Sequence, residues 1–417
     1  MFQEHPREKP WLAWLVFGLW SVFIIVIAPL TRPLLRELAD ATDKRVLIYI
    51  TVVVTVIAAA VAIRLNVLQQ GRLSKSRLTA LVFIVGLFAY FSLFKIKSPQ
   101  ESLHFLEYGF LGLVTFRAFS HRIHNVLIYP CTVLLCSCIG TYDEILQWVN
   151  ATRIYDLRDI GWNATAACLS QLAIALGVRP PFIRLRTDRA SCRILAGLIA
   201  LHTALFMACL SNTPQAIAWY TQKFPPLDYL ADNNNVMTEY GYKLQDDDIG
   251  TFYSRFTRDQ VIAMDQARAA EVGLLLAENI KSRDYDGFLR RYTPAVDAFA
   301  RECRVRLYRR DHYYLASFKH GATNEMYKFH MMVAYKENQI LERYFSNTLA
   351  AAGAVFAPYS RKQIRDGMKS DDHYVSPVGE HLITVMPEAV LVGLLATLLV
   401  LSVTAWWKLR PPHAAHA

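Results

Sequence analysis

ESLHFLEYGF at 101–110, GTYDEILQWV at 140–149 and TRIYDLRDIGWN at 152–163 decide how this chain is read. Each sets polar and ionisable side chains into apolar sequence: His104, Glu107 and Tyr108 in the first, Asp143, Glu144 and Gln147 in the second, and Arg153, Asp156, Asp159 and Asn163 in the third. Ionisable groups at membrane depth are costly to keep and are usually functional. His104, Glu107 and Tyr108 stand at i, i+3 and i+4, which stacks them on one helix face. Asp143 and Gln147 are four apart, and Asp156, Asp159 and Asn163 repeat the three- and four-residue step.

Working outward, the 417 residues are 53% hydrophobic and 19% charged, an apolar excess that lipid explains better than a soluble core. About eight windows are long enough to cross the hydrocarbon layer: 11–30, 46–63, 78–95, 103–119, 124–148, 158–178, 193–211 and 388–407. The first has no small-residue cleavage pattern and carries Trp11, Trp14 and Trp20, so it reads as a retained signal anchor rather than a cleaved leader. The expected fold is mainly α: a polytopic helical bundle with an α+β extracytoplasmic domain between its last two spans.

The net charge of +10 would point to nucleic acid in a soluble protein. Here the Lys and Arg residues sit largely in short loops, where positive-inside topology accounts for them and no nucleic-acid partner is expected. With the N-terminus inside, the inner loops and tails carry 15 Lys and Arg against 8 in the outer short loops. Both termini are therefore expected in the cytoplasm of a bacterial inner-membrane protein. Of seven cysteines, Cys131, Cys136, Cys138, Cys168, Cys192 and Cys209 lie in or beside predicted spans and read as small packing residues. Cys303 stands alone in the hydrophilic region, where it has no intradomain disulfide partner.

Hydropathy collapses near Asn212 and recovers near Pro387. The expected segments are a two-helix stretch at 1–77, a membrane domain at 78–178, a seventh span with its basic inner loop at 179–211, an extracytoplasmic domain at 212–387 and a final span and tail at 388–417. Within 212–387, Pro214, Pro225, Pro226 and Asp232 to Asn235 read as loop. Thr257 to Gln260 has capping-box spacing and opens a helix expected to end near Ser282. Val305 and Leu307 alternating with Arg304 and Arg306 predict a strand, with further strands at 313–318 and 327–335 and a turn at 319–321. Ile340, Leu341, Tyr344, Phe345 and Leu349 mark an amphipathic helix. Asp246 to Asp248 lacks the spaced ligands of a calcium loop and reads as a solvated acidic turn.

Consecutive spans joined by short loops are neighbours, so the polar ends of the fourth, fifth and sixth windows should meet at the outer face. Up to five carboxylates near His104 are unfavourable unless protons, Arg153, Arg158 or a divalent cation neutralise them. The competing account is plain interhelical hydrogen bonding, worth roughly 0.6 kcal/mol per contact.

The order of His104-Phe105-x-x-Tyr108, Asp143-Glu144-x-x-Gln147 and Arg153 followed by Asp156, Asp159 and Asn163 resembles the VanZ-like membrane proteins over about residues 78–178. The chain departs from that pattern at Ala166, where Gly is usual. The resemblance implies a bacterial membrane domain of several helices, linked through its founding member to resistance to teicoplanin, and supplies no defined reaction. A cell-envelope or lipid-linked ligand, its anionic part held by Arg153 and Arg158, is the leading expectation. Neither a Gly-x-Ser-x-Gly nor a His-Glu-x-x-His motif is present to supply a catalytic reading. An assembly or sensory protein whose outer domain binds a membrane-protein partner, and a proton-coupled transporter, are the alternatives.

Overall fold

Pro10 needs no partner for a missing N–H and starts helix α1 (Pro10–Val22), which runs on through a π-helical turn at Phe23–Ile27. Ser74 caps α2 (Lys75–Tyr90) by accepting from Arg77 N, and a second π-helical turn follows at Phe91–Lys95. Next come α3 (Pro99–Phe119), α4 (Ile128–Val149) and α5 (Leu157–Leu172, extended to Val178), the last capped by Asp156. After α6 (Arg189–Leu210) the chain leaves the apolar helices. The computed structural model describes residues 9–27, 74–96, 99–150, 153–368 and 373–411, with isolated positions between 49 and 64.

Two compact units emerge: Met1–Asn150 with Tyr155–Cys209 and Gly393–Ala417, and Ala151–Ile154 with Leu210–Val392. Among the described residues four helices are long and apolar enough to cross a membrane, Lys75–Lys95, Leu157–Val178, Arg189–Leu210 and Glu388–Lys408. Pro10–Val26 is apolar but shorter. Helices α3 and α4 reach 21 and 22 residues, but their polar side chains keep them out of that apolar set. The window expected at 46–63 falls mostly outside the described residues.

In the first unit α3 packs on α1, α4 and α5, and α5 packs on both α3 and α4. Ile24, Phe88, Phe105, Tyr108, Leu111, Cys136, Ala166 and Ala167 form one apolar cluster. Ala166 is fully buried there, its methyl accommodated within the cluster. His202 of α6 reaches Ser137 of α4 at 2.8 Å. On α14 (Glu388–Lys408), Trp406 lies close against Gly197 of α6, with the Arg193 guanidinium 4.7 Å from its ring centre.

The second unit is mainly helical, with one two-stranded sheet. It runs through α7 (Pro214–Lys223), the antiparallel hairpin β1 (Tyr242–Asp246) and β2 (Gly250–Ser254), α8 (Arg258–Ser282), α9 (Tyr285–Arg291), α10 (Pro294–Ser317), α11 (Glu325–Tyr344), α12 (Ser346–Ala351) and α13 (Pro358–Gly367). Both halves of the Thr257–Gln260 capping box form, and α8 ends at Ser282 as expected. The acidic turn is the hairpin turn, with Gly250 at φ 104°. It is not simply solvated, because Arg343 forms ion pairs with both Asp246 and Asp248.

The strands expected at 304–310, 313–318 and 327–335 are not strands; the first two lie on α10 and the third on α11. The apparent two-residue alternation takes Arg304 and Arg306 as outward-facing, whereas both are buried, as is Arg310. Cys303, Arg306, Leu307 and Arg310 in fact make one helical face. Arg306 is fully buried, 3.0 Å from Glu302 and 3.7 Å from Glu337. Glu337 also accepts from Tyr374 at 2.8 Å and Ser376 at 2.6 Å. That tyrosine and serine belong to a ribbon whose backbone pairs with Thr251 and, farther on, with Glu239 and Gly241. Burial favours the neutral acid at Glu239, but a hydrogen bond with His381 and the Arg255 guanidinium hold its carboxyl down at about 2.

Replacing Arg306 by Leu strands two buried carboxylates and should destabilise the second unit by about 3–5 kcal/mol. Thr257→Ala, which removes one cap, should cost only about 1 kcal/mol. Alkylation of the buried Cys303 thiol in the full chain on warming, read by mass spectrometry, measures both. Equal protection in the two variants would show that the arginine network does not support this unit.

Candidate functional site

The polar residues of α3, α4 and α5 meet because these three helices pack on one another. On α3, His104 Nδ1 lies 2.9 Å from Glu107 Oε2, one helical turn on. Its other nitrogen points across to α4, 3.6 Å from Asp143 Oδ2, an ion-pair separation beyond hydrogen-bond reach. The imidazole is thus held between two carboxylates from different helices. Its ring stands edge-on to Tyr108, with centres 5.0 Å apart.

On α4 the side chain of Gln147 gathers both neighbouring acids. Its Nε2 donates to Asp143 Oδ2 at 3.2 Å and also to Glu144 Oε1. The second Glu144 oxygen accepts the backbone N–H of Asp156 at 3.0 Å, fastening the end of α4 to the start of α5. Asp156 in turn caps α5 through Arg158 N at 2.9 Å and pairs with that residue's guanidinium at 2.8 and 2.6 Å. Asp143, Glu144 and Gln147 are buried, as is Glu107. Three buried carboxylates around one imidazole carry more negative charge than one cation can offset, so the arrangement must hold protons or attract a cation.

The third layer of the site is not closed. Tyr108 and Asn163 are buried, yet the tyrosine hydroxyl and the Asn163 Nδ2 have no hydrogen-bond partner among the described residues. Both lie over Gly140. A Cβ built there would come 3.0 Å from Asn163 Nδ2 and 3.3 Å from the Tyr108 ring. Gly140 is therefore a positioning residue that the spacing argument missed, although its place three residues before Asp143 puts it on the same helical face.

Asp159 sits on the first turn of α5, half-buried. It interacts electrostatically with Glu144 and His104 rather than through a direct bond. Arg153 groups with Ala151–Ile154 in the second unit and is half-buried. The structure therefore connects His104, Glu107, Asp143, Glu144, Gln147, Asp156 and Arg158 by contacts, places Tyr108 and Asn163 beside them, and sets Asp159 at the edge. Among the described residues no group of three or more His, Cys, Asp and Glu side chains is arranged to hold a metal ion. No protein-family model, curated protein or solved structure matches the chain.

A valine at Gly140 would press on Asn163 and Tyr108 and should lower bundle stability by about 1–3 kcal/mol, with Gly140→Ala costing less. Melting of the full chain in detergent checks the order glycine, alanine, valine. Equal melting temperatures for all three would mean that α3, α4 and α5 do not approach this closely.

Proposed function

We propose that residues 78–178 form a VanZ-like domain of a bacterial inner-membrane protein, and that the His104 cluster receives the polar part of a cell-envelope or lipid-linked ligand at the outer face. The observation that carries this reading is the unfinished hydrogen bonding of Tyr108 and Asn163 beside three buried carboxylates. A polar network serving packing alone is normally closed, because each unpaired buried group costs about 1–3 kcal/mol. Two donors left open beside buried carboxylates suit a ligand that brings oxygen acceptors. The imidazole between Glu107 and Asp143 suits holding or passing a proton. With no activated nucleophile beside them, binding is favoured over covalent catalysis.

The loop-charge asymmetry supplies the surrounding topology: eight spans, both termini in the cytoplasm, and residues 212–387 outside. A second reading, partner recognition by that outer domain, draws on one helical-hairpin tip. There Leu315 and Phe318 at the end of α10 and Met326 and Phe329 at the start of α11 are 64%, 50%, 47% and 44% exposed.

A reporter active only outside the cytoplasm, fused after Gly250, should give signal; strong signal from a cytoplasmic reporter at that point would invert the topology and move the cluster to the inner face. The ligand reading is tested by Glu144→Gln and Asp159→Asn in a deletion strain scored for envelope-stress and glycopeptide sensitivity. Both should lose the phenotype at normal protein abundance. Loss that merely tracks abundance would leave packing as the role of the cluster. Loss confined to Leu315→Ser with Phe318→Ser would favour the second reading.

A further inference from the structure

A separate cavity of about 380 Å³ lies on the other face of α5, lined by Lys95, Glu101, Arg158, Gly161, Trp162 and Thr165. It is built from the π-helical turn that follows α2, the first turn of α3 and the first three turns of α5. Arg158, Gly161 and Thr165 stand at i, i+3 and i+7 and present one face, while Asp159, Asn163 and Ala166 occupy another. Nothing lies within 4 Å of where a Gly161 side chain would begin, so the floor is open. Trp162 forms a firm wall, edge-on to Phe91 and Phe105 with ring centres 5.7 and 6.3 Å away.

The charges around this cavity are mixed. Lys95 and Arg158 bring two cations, and Glu101 and the Asp156 carboxylate paired to Arg158 bring two anions. A purely anionic head group would meet no net attraction there, whereas one carrying both signs would find a partner for each. Beside the cavity, Tyr90, Leu93 and Phe94 of α2 are exposed and apolar, Phe94 by 73%, a surface suited to acyl chains rather than to water. A tryptophan next to paired charges is also the side-chain set found where head groups meet hydrocarbon.

We infer that this cavity binds the phosphoethanolamine head group of a phospholipid, with Lys95 and Arg158 on the phosphate, Glu101 on the ammonium and the acyl chains along α2. The inference rests on the membrane reading above but not on the role given to the His104 cluster. It separates lipid from free head group, because only the lipid gains from the apolar flank.

The experiment is native mass spectrometry of the full chain in detergent with dihexanoyl phosphatidylethanolamine, phosphatidylglycerol and phosphatidylcholine, and with free phosphoethanolamine. Retention of phosphatidylethanolamine should exceed that of phosphatidylglycerol by at least about fivefold, the scale of one charge-assisted contact. Glu101→Gln should remove that preference, Lys95→Gln should weaken both lipids, and Gly161→Leu should exclude all three by filling the floor without touching a charge. Equal binding of phosphatidylglycerol or phosphatidylcholine, unchanged binding in all three variants, or free phosphoethanolamine binding as well as the lipid would each overturn the assignment. Selectivity that persists in Glu144→Gln supports a site separate from the cluster; selectivity abolished by that substitution overturns the separation. The envelope phenotype tests the cluster on its own.

Discussion

A carboxylate taken out of water must find a proton, a cation or several donors, and both units of this protein are arranged around that requirement. In the first, Glu107, Asp143 and Glu144 are drawn to one imidazole, one glutamine amide and one backbone N–H. In the second, Glu302 and Glu337 share the buried guanidinium of Arg306. The helices in each case cross where these partners meet, so polar pairing fixes which surfaces face each other while apolar packing supplies the bulk of the contact.

Neither network is fully closed among the described residues. Around Glu337 one oxygen accepts from Tyr374 and Ser376, while the other lies only at ion-pair distance from Arg306 and, like Arg306 Nη1 and Arg309 Nε, has no hydrogen bond among the described residues. Around Asp143 and Glu144 the nearby tyrosine and asparagine remain open. What differs is the charge balance: buried guanidinium groups stand against the acids in the second unit, whereas one imidazole faces Glu107 and Asp143 in the first.

Much of the first unit was legible because a polar residue in an apolar run cannot be mistaken for surface. The spacing of His104, Glu107 and Tyr108 and the short loops around α4 are enough to place three helix faces together. Gly140 was missed because a glycine announces nothing by its chemistry; its meaning lies in what it lets approach. Lys95, Glu101 and Trp162 were overlooked for a related reason, since they share a cavity without sharing a motif. In the second unit the reading failed at α10 because hydrophobic periodicity assumes that arginine faces water. Arg306 breaks that assumption by bringing its partners Glu302 and Glu337 inside with it. The β1–β2 hairpin was missed because its five-residue strands carry Lys243, Gln245, Thr251 and Ser254, too polar to stand out as strands.

The ribbon bearing Tyr374 and Ser376 has a consequence in time. Glu337 lies near the middle of α11, yet two of its donors arrive almost forty residues later, and the edge of the hairpin at Thr251 waits more than a hundred residues for its partner. As the chain emerges from the ribosome, the helices of the second unit can assemble early, but Glu337 stays short of donors until residues 374–376 have been made. Completion of this unit therefore falls just before synthesis of the apolar helix α14, so that its folding and the appearance of α14 become closely spaced events.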